Sequence, residues 1–205
     1  MTEIRSPGEP TPSSWPRYRD ALVPRASDLW PALIGPLVIL FVYLARDQDL
    51  EWVQRKMLHE ALALVLTPIA LGIFTWTAYR TRDPLQLVLT ALSAMFLMRE
   101  IHFYGSHRTT YFVLAAIVIW AWRWRERLLE PIGRESTQRW LYSALLVYFL
   151  SQLMDRRGLR ILPHEQAIHV AVEEMLENAA HLLWITTAIV TRRALRGRSG
   201  PRSAS

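Results

Sequence analysis

The run from Pro31 to Ala45, PALIGPLVILFVYLA, holds fifteen residues without a charge. Five comparable apolar blocks follow it, Leu58 to Tyr79, Pro84 to Met98, Thr109 to Trp124, Trp140 to Met154 and Val170 to Val190. A helix needs about 20 mainly apolar residues, roughly 17 to 25, to cross the hydrocarbon core of a bilayer. Several blocks reach that length only with flanking Trp, Tyr and Arg, whose amphipathic side chains sit in the interface. One short block is compatible with the core of a soluble protein. Six of them in 205 residues leave too little polar surface for a soluble fold. The sequence therefore predicts an all-α polytopic membrane bundle of six transmembrane helices over 28–195, because a helix satisfies its own backbone polar groups in lipid.

The two ends differ in composition. Residues 1–27 hold five of the twelve prolines, and 196–205 read RGRSGPRSAS; both are expected to be disordered cytoplasmic tails. The first apolar block starts some thirty residues in and lacks a small-residue cleavage site, so it reads as a retained span. Without cysteine the chain has no disulfide or thiolate chemistry.

The charge of +6 gives the orientation. All the cations but Lys56 are arginines, and an even number of spans puts both termini on one side. Eight cations, Arg46, Arg55, Lys56, Arg99, Arg108, Arg156, Arg157 and Arg160, fall on the side away from the termini; the other sixteen of the 24 fall with the tails. Positive loops stay in the cytoplasm, so both termini are predicted inside. On that basis WAWRWRER at Trp120 to Arg127 is a cytoplasmic aromatic anchor rather than a nucleic-acid patch, and nucleic acid is excluded as a partner.

The same partition sorts the chemistry. His59, His102, His107, His164, His169 and His181 all lie on or near the non-cytoplasmic side, with Glu60, Glu100, Asp155, Glu173, Glu174 and Glu177. In the last helix, Glu174, Glu177, Asn178 and His181 fall within an arc of about 100° at helical spacing, with Glu173 at its edge and Val172, Met175, Leu176, Ala179, Leu182 and Leu183 opposite. Ionisable groups facing lipid there cost several kcal/mol, so the stripe is expected to face the bundle interior. Three helix ends point to the same leaflet: His59 and Glu60; Arg99, Glu100 and His102; and Tyr148, Gln152 and Asp155 at i, i+4 and i+7. Carboxylate and imidazole donors together suit Zn, Fe or Mn, although no HExxH and no paired ExxH is present. Asp47, Asp49 and Glu51 alternate as in a calcium loop but lack its Gly and its twelfth-position Glu, and read as a solvated acidic loop.

The six spans, with MREIHFYG, LMDRRG and VEEMLENAAH at their ends, resemble small uncharacterised bacterial inner-membrane proteins, which implies a multi-pass protein of the bacterial inner (plasma) membrane. The outward site of His, Asp and Glu is similar, at the level of architecture, to the CREST membrane hydrolases, which include alkaline ceramidases and progestin/adipoQ receptors. That resemblance implies a zinc ion held by three His near an Asp and a Ser, and reaches Asp155, His102 and His181. The chain departs from it in having Glu177-x3-His181 where the last CREST helix has HxxxH, in one helix fewer, and in the lack of Ser-x3-His in the second helix.

Three functions follow as expectations. The first is a membrane metalloenzyme acting on lipid-like amides or esters, with Glu174, Glu177, His181 and either His102 or His59 as Zn or Fe ligands and Asp155 or Glu100 as base. Glu60, Arg99, Gln152, Glu173 and Asn178 complete its polar site. The second is a proton- or cation-coupled transport or binding protein using the same acids. The third is a non-catalytic subunit whose stripe pairs with a membrane-protein partner or with a second copy.

Overall fold

A computed structural model describes residues 23–46, 48, 50–101, 106–158, 160 and 165–196, with the backbone alone for Glu51, 106–109 and 165–167. Every regular element among them is helical. A 3-10 segment, Ala26–Leu33, leads into α1 (Ile34–Arg46); then come α2 (Glu51–Gln54), α3 (Lys56–Thr81), α4 (Pro84–Glu100), α5 (Ser106–Arg123), α6 (Arg125–Ile132), α7 (Glu135–Asp155) and α8 (Glu165–Arg196). Each of the six apolar blocks falls mainly on one long helix, with Pro31 to Leu33 in the 3-10 segment and Trp124 just beyond α5. The helical region is slightly longer than expected at both ends, since Ala26 and Ser27 belong to the 3-10 segment and Arg196 to α8. Residues 1–22 and 197–205, where the disordered tails were expected, lie outside the described residues, as do Asp47, Asp49, His102 and His164.

Local chemistry sets several boundaries. Asp83 caps α4 by accepting from Gln86 N at 3.1 Å, and Pro84 takes the first helical position, where its missing N–H costs nothing. Arg82 before it closes α3 in the left-handed conformation, with φ of 50°. α3 continues through Pro68 as one helix, with Thr67 Oγ1 donating to Ala63 O at 2.7 Å. In WAWRWRER the chain breaks at Trp124, and the guanidinium groups of Arg125 and Arg127 lie 5.2 and 4.8 Å from the ring centroids of Trp122 and Trp124. The resulting α6 packs Leu128 and Pro131 inward and leaves its charges outside.

Side-chain contacts fix the helix directions. Arg139 at the start of α7 bonds Asp28 at 3.3 Å, and Trp140 meets Trp30 edge-on at 5.9 Å. α3 and α8 run parallel: Asn178 Nδ2, near the middle of α8, donates to His59 O in the first turn of α3 at 3.2 Å, and Arg80, Arg192 and Arg196 share a pocket at their ends. The last turn of α4 meets α7 and α8 through Arg99, and Tyr111 early in α5 accepts from Arg156 just beyond α7. The six long helices therefore alternate in direction, which gives the bundle one end rich in acids and His and another rich in Arg.

α8 is the central helix. Val172, Leu176, Ala180 and Ala188 are fully buried, and Trp184, 1% exposed, packs its ring against Phe74 and Phe96 at 5.5 and 5.4 Å. On the face opposite the polar stripe, Val172, Leu176, Ala179 and Leu183 are buried as well. The reason is that α1, α3 and α7 surround the helix, so both of its faces are interior. Gly35 lets α1 pack closely on α7, since a Cβ there would meet Leu150 Cδ2 at 3.0 Å.

Among the described residues, two helical stretches, Ala26–Arg46 and Lys56–Thr81, are long and apolar enough to cross a membrane, and Thr110–Arg123 is a shorter apolar helix. Only 28% and 39% of the apolar windows of the two longer stretches are buried, and Leu37, Leu40, Leu64 and Val65 are among their exposed hydrophobic side chains.

Candidate polar site at the acidic end

The site is built on the N-terminal half of α8 and the last turns of α4 and α7. Glu177 is its centre and is 6% exposed. Its Oε1 accepts from Arg99 Nη2 in a direct ion pair and from Ser151 Oγ at 3.2 Å. Gln152 joins the pair best with its amide oxygen toward Arg99, accepting from Nη1 and Nη2 at 3.0 Å each. In the opposite orientation its NH2 group faces the guanidinium and reaches Glu177 only at 3.4 Å. Arg99 is thus held between a carboxylate and a carbonyl, a satisfied arrangement for a largely buried cation.

One turn further along α8, His181 is 1% exposed. Its Nδ1 lies 2.5 Å from the Tyr148 hydroxyl, and its Nε2 lies 3.6 Å from Glu100 Oε1 with no hydrogen-bond partner among the described residues. If the phenol donates to Nδ1, the ring proton sits on Nε2 facing the carboxylate. Carboxylate, imidazole and phenol then stand in one row, and a movement of about 0.6 Å would bring Glu100 to about 3.0 Å, within hydrogen-bond range. Beneath the row, Phe96 stacks on Tyr148 at 4.4 Å, and Trp184 Nε1 donates to Ser93 Oγ at 2.7 Å.

On the α3 side, Lys56 pairs with Glu60 at 3.3 Å and lies 3.9 Å from Glu174, in a more exposed setting. Asn178 donates to the carbonyls of His59 and Glu174 at 3.2 and 3.0 Å, tying α3 to α8. Glu173 is partly buried and Asp155 is exposed at the end of α7.

Among the described residues the expected metal ligands do not come together as a group. Glu177 is held by Arg99 and Ser151, Glu174 turns toward Lys56, and His181 is taken by Tyr148. The His59 ring lies over the short α2, with Nε2 3.1 Å from Val53 O, because the chain breaks at Arg55 and folds back over the start of α3. His102 lies outside the described residues, and among these no group of three or more His, Asp or Glu is placed to hold a metal ion. These donors do not fit the three-ligand centre that the CREST resemblance implies. Of the two expected bases, Glu100 stands beside His181, whereas Asp155 lies outside the network.

Ser151, Ser93, Trp184 and Lys56 enter the arrangement without having been singled out as members of it. Ser151 carried a signal, since it lies i+3 from Tyr148 and next to Gln152. Lateral access runs between α4, α5 and α7, where a groove of about 290 Å³ is walled by Leu92, Phe96, Leu114, Leu145 and Phe149 and reaches Arg99, Tyr148 and Gln152. Comparison with protein-family models, curated proteins and solved structures finds no match to this chain.

Proposed function

We propose that the chain is a multi-pass protein of the bacterial inner (plasma) membrane, its six long helices crossing the bilayer with both termini in the cytoplasm. Its polar site receives the head of a lipid-like amphiphile, and His181 handles a proton between Glu100 and Tyr148. Apolar side chains turned outward on helix after helix support the membrane setting, among them Leu40, Val65, Phe112, Ile119 and Phe149, each more than half exposed. Four of the long helices are less apolar than the two clearest spans, and the ionisable groups on them that lie away from the helix ends, Glu177 and His181, turn inward, as the low dielectric of a bilayer requires.

The observation that carries the functional reading is the meeting of two unlike surfaces at Arg99, Tyr148 and Gln152. An apolar groove accepts a hydrocarbon chain, and a guanidinium at its inner wall accepts a carboxylate, phosphate or polarised carbonyl. Behind them the buried row of Tyr148, His181 and Glu100 supplies acid–base chemistry of the kind that ester or amide cleavage needs.

A photoreactive fatty acid with a diazirine in its chain tests this on the purified protein. Labelling should map to the α5 and α7 peptides that line the groove. Leu145→Trp, which fills the groove, should lower labelling at least about tenfold, corresponding to about 1.4 kcal/mol of lost binding. Labelling spread evenly over all outward faces, or unchanged in Leu145→Trp, would contradict the reading.

A further inference from the structure

Among the described residues that wall the groove between α4, α5 and α7, Arg99 carries the single charge. That charge is already matched. Glu177, which is not one of the lining residues, holds Nη2 in a direct ion pair, and Glu100 and Glu173 add their negative field at the same guanidinium. One cation, its side chain only 24% exposed, therefore meets three carboxylates. In a setting this far from water such charges act on one another strongly, and the polar end of the groove holds no surplus of positive charge.

It does hold donors. A guanidinium has five N–H groups, of which Glu177 and Gln152 take three, leaving Nε–H and one proton of Nη1. Tyr111 accepts from Arg156 and has its own hydroxyl proton to give. Arg156 itself is exposed, so solvent screens its charge. Donors without net charge suit an uncharged acceptor. A carboxylate or phosphate entering the groove would give up its hydration for a guanidinium that is already neutralised, within the field of three acids. An ester or amide carbonyl takes the same N–H groups and has far less hydration to lose.

We infer that Glu177 determines the specificity of the site, selecting an amphiphile whose head is an uncharged carbonyl, an acyl ester or amide, over one that ends in a carboxylate or phosphate. This selection rests on the amphiphile-binding groove proposed above and narrows its possible heads to one chemical class. Glu177 acts through Arg99, by cancelling the charge that would otherwise attract an anion.

Two photoreactive probes with the same diazirine-bearing chain, one a free fatty acid and the other its methyl ester, test this on the full-length protein in mild detergent, at a pH where the acid is ionised. The ester should label the α5 and α7 groove peptides about tenfold more than the acid, and Leu145→Trp should suppress both. Glu177→Gln leaves Arg99 uncompensated and should turn the ratio toward the acid by more than about tenfold. Glu173→Gln keeps the ion pair and should lower the ratio at least about twofold, which keeps the selection testable if Glu177→Gln does not fold. Glu130→Gln, at an exposed position on α6, removes the same charge and should leave the ratio unchanged; far-ultraviolet helicity confirms folding. Groove labelling by both probes with the acid equal to or ahead of the ester overturns the selection while the amphiphile site stands. So does a ratio that folded Glu177→Gln leaves unchanged or, where that variant does not fold, one that Glu173→Gln leaves unchanged. Groove labelling by neither probe removes the amphiphile site and the selection together.

Discussion

Replacing Glu177 by Ala should lower the unfolding free energy of the purified protein by about 3 kcal/mol, measured by denaturant titration in mild detergent. The cost arises less from the lost attraction than from the group left behind. Arg99, with a side chain 24% exposed, would keep its charge in a largely buried setting with Gln152 as its remaining partner, and Ser151 Oγ would lose its acceptor. Glu177→Gln preserves the volume and an acceptor oxygen, and is expected to cost about half as much or less. The double variant Arg99→Ala with Glu177→Ala should be clearly more stable than the sum of the two single losses, because neither charge is then stranded. Additive losses would show that the two side chains are not paired.

The second large effect concerns the aromatic floor of the site. Trp184→Ala should cost about 3 kcal/mol or more, since it opens a cavity among Phe74, Phe96 and Tyr148 that the surrounding helices fill only in part. Trp184→Phe keeps most of the ring and loses the indole N–H. Ser93 Oγ still donates to Leu89 O at 2.8 Å, so no buried donor is orphaned and the expected loss is about 1 kcal/mol. A Trp184→Ala protein as stable as the parent would mean that α8 is not the central helix.

The six long helices were legible because their hydrophobic blocks are dense and well punctuated, as Asp83-Pro84 shows at the start of α4. The short α2 and α6 lie in polar connections where periodicity gives no signal. The inward direction of Glu177, Asn178 and His181 followed from the cost of exposing them to lipid. Their partners did not follow, because which turn of α4 meets which turn of α8 depends on how the helices slide against one another. That register pairs Glu177 with Arg99 and brings Glu100 to His181, whereas helix-end proximity alone had suggested a shared metal. His59 illustrates the same limit, since its contact with Val53 depends on a backbone break at Arg55 that no residue type announces. Asp155 was grouped with Tyr148 by an i+7 spacing, yet it is the last residue of α7 and turns out to solvent.

The proposed bundle crosses the membrane with the acidic site on the outer side and the arginine-rich end inside. The chain has no native cysteine, so any introduced thiol is unique. Asp155→Cys, Glu130→Cys and Arg193→Cys, at exposed positions on α7, α6 and α8, can be probed in intact bacterial cells with a membrane-impermeant maleimide. Asp155→Cys should be labelled from outside, and Glu130→Cys and Arg193→Cys only after the inner membrane is permeabilised. Labelling of all three before permeabilisation, the reverse pattern, or recovery of the chain in the soluble fraction would contradict it.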